Sequence, residues 1–84
     1  MTKMLLEYNE AVDAAYLTVS DEPCDHQVRL DEARGINDAA DGSVIGIELH
    51  SPCRKGVILE SLPYLADVAR VIRTAGFRVL EASH

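Results

Sequence analysis

The sequence predicts an α+β fold: a mostly antiparallel sheet of four to six strands, with one C-terminal helix packed on one face. Three observations lead there. The first two-thirds of the chain alternates apolar and polar residues with period 2, the spacing of a half-buried strand. An Asp-Gly pair, Asp41-Gly42, separates two such runs and marks a hairpin, because glycine readily adopts positive φ. Beyond Ser61 the apolar residues recur at helical spacing instead. One face of the sheet then needs a cover, and the helix stripe supplies it.

In order along the chain, "KMLLEY" (Lys3–Tyr8) is a short apolar run that reads as the first strand. "NEAVD" (Asn9–Asp13) is polar enough at its ends to turn. "AAYLTVS" (Ala14–Ser20) alternates, with Ala15, Leu17 and Val19 on one side and Tyr16, Thr18 and Ser20 on the other. Pro23 cannot donate to a ladder and marks a strand end or edge. "HQVRLDE" (His26–Glu32) alternates again, with Val28 and Leu30 expected inward. After Gly35 comes a short "IND", then the Asp-Gly turn. "SVIGIELH" (Ser43–His50) is the clearest strand: Ile45, Ile47 and Leu49 line one face, and Gly46 marks a bulge or a close backbone approach.

The period then changes. Pro52, Arg54, Lys55 and Gly56 make a polar connection, and "VILE" (Val57–Glu60) fits either a strand or the lead into a helix. Ser61 is the expected N-cap and Pro63 fits the first turn. Leu62, Leu65, Val68, Ala69 and Ile72 form the apolar stripe. Asp67 near the start, and Arg70 and Arg73 toward the end, suit the helix dipole. Gly76 is the stop, and "FRVL" (Phe77–Leu80) is long enough for a last short strand. One domain is expected over residues 1–84, with a hairpin region over 1–50 and the connection, helix and last strand over 51–84.

Charge narrows function. The net charge is −6, with only 8 basic residues, which look scattered along the chain. Nucleic acid binding depends first on neutralising phosphates, so direct binding is not expected. An acidic chain suits a basic protein partner. No segment is apolar enough to cross a membrane, and the opening "MTKMLLEYNE" lacks the apolar core of a signal peptide, so the cytoplasm is the expected location. Neither a GxGxxG pattern nor a P-loop occurs, and no cofactor is implied.

Two blocks carry a family resemblance. "YNEAVDAAYLTVS" places Tyr8, Asn9, Glu10, Asp13, Ala14, Tyr16 and Leu17 where members of the Domain of Unknown Function 2283 family carry their opening turn and alternating strand. "GINDAADGSVIGIEL" (Gly35–Leu49) resembles that family's second hairpin. Ala11 departs from the usual turn residue, and nothing after Ser51 takes part. The resemblance implies a small cytoplasmic sheet-plus-helix domain with no established enzymatic activity. Some members of such families look like the antitoxin half of small bacterial toxin–antitoxin pairs, which implies partner binding. No catalytic residue carries over.

Three constellations remain. Asp13 with Tyr8 and Tyr16 could form a polar cluster at a hairpin end that binds a partner or ligand, but the favoured reading is scaffold: the aspartate bonding its own turn amides and the tyrosines packing as a cross-strand pair. Cys24, His26, His50 and Cys53 make a set capable of binding zinc or supporting thiol chemistry. The Cys-x-His spacing is not a usual structural-zinc spacing, and no nucleophile motif surrounds either cysteine, so no metal and no catalytic residue is assigned. The acids Asp21, Glu22, Asp25, Asp31, Glu32, Asp38 and Asp41 lack the order of a calcium loop, and serve as a solvated face or attract a basic partner. The reading is a non-enzymatic protein-interaction module, expected as a homodimer because a small sheet leaves edges to cover. The alternative is a small metal-binding or thiol enzyme built on Cys24, His26, His50 and Cys53.

Overall fold

The computed structural model describes residues 4–80, so Lys3 of the first run lies outside the described residues. The described elements are β1 (Leu5–Asn9), β2 (Ala14–Thr18), β3 (His26–Arg29), β4 (Arg34–Asp38), β5 (Val44–His50), α1 (Pro52–Lys55), β6 (Val57–Ile58), α2 (Leu65–Thr74) and β7 (Val79–Leu80). β1 to β5 form one antiparallel sheet in the order β1-β2-β5-β4-β3. β5 is therefore central, and β1 and β3 are the edges. β6 and β7 pair in parallel as a separate ribbon, so the "FRVL" segment joins β6 rather than the sheet. The expected sheet with a C-terminal helix is the fold; α1 and the ribbon are additions to it.

Alternation decides which side chains meet the helix. Ala15 and Leu17 of β2, with Ile47 and Leu49 of β5, join Val57, Leu62, Val68 and Ile72 in one buried core. Ile45 is also buried. The helix stripe holds in its middle, where Val68 and Ile72 are fully buried, but not in its first turn, where Leu65 is half exposed. β3 departs from expectation. Val28 is 44% exposed although its alternation marks it as inward, because this edge strand lies beyond the cover. The strand also stops at Arg29; Asp31 turns the chain instead, accepting the amides of Ala33 and Arg34 at 2.9 Å each.

The turns follow their chemistry. At the Asp-Gly hairpin, Gly42 takes φ +89° and the Ala39 amide donates to the Ser43 carbonyl at 2.9 Å. Ser43 donates its amide and hydroxyl to Asp41, holding that carboxyl below its usual value. Across the sheet the β4–β5 register slips between Asn37 and Asp38, opposite Gly46. The predicted start of the helix is corrected. Ser61 is not the N-cap and Pro63 is not in the first turn; α2 begins at Leu65, after Tyr64 at φ +54° with no side-chain cap. Pro63 disfavours helical backbone at Leu62, and Leu62 is buried, pinning a turn in which its amide bonds to the Leu59 carbonyl at 3.1 Å. The helix ends at Gly76 as expected, with the Phe77 amide returning to the Ile72 carbonyl.

Charge sorts by layer. Residues 4–50 hold eleven acidic side chains against two arginines, while residues 51–80 hold five basic against two acidic. The basic residues are thus concentrated in the helix layer rather than scattered. No helix among the described residues is long and apolar enough to cross a membrane.

Candidate functional site

The side of the sheet away from α2 is uncovered. Strand alternation puts Glu7 and Asn9 of β1, Tyr16 of β2, Gly46, Glu48 and His50 of β5, Asn37 of β4, and Gln27 and Arg29 of β3 on it. Four strands share one polar network there. Gln27 Nε2 donates to Asn37 Oδ1 at 2.8 Å and to Glu48 Oε2 at 2.5 Å. Asn37 Nδ2 donates to Tyr16 Oη at 3.1 Å. Glu48 Oε1 meets His50 Nε2 at 3.0 Å. Because Tyr16 Oη accepts from Asn37, its own O–H is left to donate outward. The ring lies directly over Gly46, where any Cβ would collide with it. Gly46 therefore marks the close approach that its place in a strand suggested.

Beside this network an open groove of about 990 Å³ runs over β1, β2 and β5. Glu7, Glu10, Tyr16, Glu48 and His50 line it, with Val12 (67% exposed) at its lip and neither lysine nor arginine among its lining. Chemically this is an acceptor-rich surface: three carboxylates and a phenol hydroxyl around an apolar lip. Ammonium and guanidinium groups are its natural complements.

Asp13 proves structural, but differently from expectation. Its own turn is closed by Asn9, whose Oδ1 accepts the Ala11 amide at 3.0 Å. Asp13 sits at φ +49°, only 9% exposed, and reaches across the molecule. Its carboxylate accepts the amides of Cys53 at 3.1 Å and Arg54 at 3.0 Å, and the Tyr8 hydroxyl at 2.8 Å. Burial pushes the Asp13 carboxyl up, but the Tyr8 hydroxyl and the two amides outweigh it and hold it below the usual value. The bond to Asp13, helped by desolvation, pushes the Tyr8 phenol up to about 12. The tyrosines do not pair across strands. Tyr8 stands opposite Ala15 on the helix side, edge-on to Phe77 at 5.1 Å, while Tyr16 stands on the open face.

Cys24, His26, His50 and Cys53 do not converge. His26 opens β3 near the Val44 end of β5, and His50 closes β5 at the other end, a strand length of roughly 20 Å away at about 3.3 Å per residue. Cys24 Sγ turns to the His26 carbonyl. The His26 ring lies between Asp25 (3.0 Å) and Asp38 (3.3 Å), and the bond to Asp25 raises its pKa. Cys53 lies against the Tyr8 hydroxyl on the helix side, so its thiol does not share the open face with His50. Among the described residues no set of three or more His, Cys, Asp or Glu is arranged to hold a metal ion.

Arg34 is the charged residue that sequence reasoning missed. It is 9% exposed, its guanidinium bonds Asp31 through Nε and Nη2, and Nη1 donates to the carbonyls of Ile58 (3.1 Å) and Glu60. It ties the connection into α2 to the sheet. Comparison of the chain with known protein families, curated proteins and solved structures found no match.

Proposed function

We propose that the protein is a non-enzymatic interaction module whose open sheet face receives a basic protein partner. The observation that carries this is the uncovered groove with Glu7, Glu10 and Glu48 in its lining and neither lysine nor arginine there, His50 beside Glu48 being its one basic side chain. The network from Gln27 to His50 supports the reading, because it fixes the polar side chains before any partner arrives and so lowers the cost of ordering them on binding. The resemblance to the Domain of Unknown Function 2283 family points the same way, and an antitoxin-like role with a small basic toxin is the version it favours.

The test is affinity capture with the tagged full chain, in parallel with Glu7→Lys/Glu48→Lys. The reading expects a basic protein held by the native chain, released as salt is raised, and absent from the doubly reversed variant. Recovery of the chain alone at low salt, or capture that ignores the reversal, would sink it.

A second copy is also a candidate partner, and one observation favours β3 as the edge it uses. About a two-fold axis at Gln27, antiparallel pairing of two β3 strands brings the Arg29 side chain of each copy toward Asp25 of the other, which lies just ahead of the strand with its amide bonded to the Asp38 carbonyl at 2.8 Å. Sedimentation should then show a dimer in the native chain and a monomer in Arg29→Asp. Adding Asp25→Arg to that variant should restore the dimer. A native monomer at high concentration would remove this reading.

A further inference from the structure

The two edges of the sheet differ in what they can pair with, and ladder geometry shows which backbone groups each leaves free. The Val19 amide donates to the Ile45 carbonyl at 2.8 Å, in step with Leu17 opposite Ile47. In an antiparallel ladder hydrogen bonding alternates, so Ala15, Leu17 and Val19 bond toward β5, and Ala14, Tyr16 and Thr18 toward β1. Their partners Asn9, Glu7 and Leu5 therefore bond inward, and the backbone groups of Leu6 and Tyr8 point off the free edge of β1. The same reasoning from the Leu30 amide on the Arg34 carbonyl (3.0 Å) leaves Gln27 and Arg29 pointing off the edge of β3.

Free edges are normally blunted by lysine, proline or inward charge. Leu5–Asn9 has none of these; its one charge is Glu7, and Leu5 is 60% exposed. A shallow, largely apolar groove of about 310 Å³ flanks this edge on the helix side, lined by Leu6 and by Arg70, Val71, Thr74 and Ala75 at the end of α2, with the Arg70 guanidinium turned to Asp67 at 3.1 Å. On the opposite side lies the acidic groove with Glu7, Glu10 and Glu48. A strand added to β1 would place alternate side chains in these two surroundings. β3 offers a basic strand no such match, because Arg29 occupies its open face, folded over Gly35.

We propose that β1 is a strand-docking edge for an extended segment of the partner in which lysine or arginine alternates with apolar residues. The apolar set fills the groove beside Leu6, the basic set meets Glu7 and the acidic groove, and the backbone bonds Leu6 and Tyr8. This is pairing by strand addition, in which the main chain supplies affinity and alternate side chains supply selectivity. It rests on the basic-partner reading above and assigns that partner a place and a sequence pattern.

The test uses the full chain and two labelled synthetic peptides long enough to span β1. One alternates lysine and valine; the other has the same composition with the lysines in one block and the valines in another. Fluorescence anisotropy reads affinity, and amide exchange by NMR reads the docking edge. The expected result is tighter binding of the alternating peptide, new protection at the Leu6 and Tyr8 amides, and none at Gln27 and Arg29. Glu7→Lys should weaken binding on the order of tenfold, with its own amide spectrum confirming the fold. Equal binding of both peptides, or protection at Gln27 and Arg29 instead, overturns docking at β1 while leaving the basic-partner reading in place. Failure of both peptides to bind at low salt overturns docking and that reading together.

Discussion

At the scale of single residues, Asp13 shows how one side chain holds segments that sequence distance separates. It is bonded to Cys53 and Arg54, 40 and 41 positions on, and to Tyr8 on the neighbouring strand. Its left-handed backbone is one that Asn tolerates better than Ala. Asp13→Asn, which keeps one acceptor oxygen, should therefore lower the melting temperature by removing the charge, and Asp13→Ala should lower it further by leaving the two amides and the Tyr8 hydroxyl without an acceptor and by adding backbone strain. Equal effects would mean that neither the remaining acceptor nor the backbone conformation at this position matters. The bond has a spectroscopic counterpart. An alkaline absorbance titration should show one tyrosine ionising near pH 12, missing in Tyr8→Phe. Since the folded value lies above the unfolded one, near 10, the bond's contribution is present below pH 10 and lost as pH rises through 12. Gly46 supports a second residue-scale prediction. Gly46→Ala drives a methyl into the Tyr16 ring and should cost about 1–3 kcal/mol by overpacking. In the Tyr16→Ala background, urea denaturation should find most of that cost gone, because the two positions share one contact.

At the scale of elements, what could be read in advance depended on what each pattern encodes. Alternation in β5 identified Ile45, Ile47 and Leu49 as a face, and the core confirms it. The same pattern in β3 placed Val28 correctly on the helix side of the sheet but could not say that the helix falls short of it. Ile47→Ala should accordingly cost about 2–5 kcal/mol in urea denaturation, and Val28→Ala less than about 0.5 kcal/mol. β4 was read only as a short "IND" because its first inward residue is Arg34, a charge where alternation calls for an apolar side chain. Nothing local signals that its partners are Asp31 and two carbonyls more than twenty positions away. Arg34→Met should cost about 2 kcal/mol, since those carbonyls lose their donor while Asp31, at 41% exposure, can turn to solvent. Hydrogen exchange should show the loosening first in the Ile58–Leu62 connection. The open face was legible in composition, as Glu and Gln on alternate positions, but the network among Tyr16, Gln27, Asn37 and Glu48 depends on a strand order that brings β5 between β2 and β4.

At the scale of the whole molecule, the sorting of charge makes stability and binding respond differently to pH. Asp13, Asp31 and Asp41 all have carboxyls held below their unfolded value of 3.8, Asp31 chiefly by the Arg34 guanidinium. A depressed folded value means a contribution fully present above that pH and lost as pH falls through the lower folded values. His26 has the opposite sign. Its folded value is raised by Asp25 and Asp38, so its contribution is full below 6.5 and is lost as pH rises through the raised value. Stability measured by urea denaturation should therefore be highest at mildly acidic pH. It should decline modestly as the imidazolium is lost and fall steeply below about 4. His26→Gln should flatten the alkaline side alone, and Asp31→Asn should reduce the acid slope alone. Docking of a basic segment should follow neither curve. It rests on the carboxylates of Glu7, Glu10 and Glu48 in the open groove and should be unchanged by His26→Gln. A partner affinity that changed with His26→Gln would place the docking surface at β3 rather than at β1, because His26 lies at the opposite edge of the sheet from Glu7.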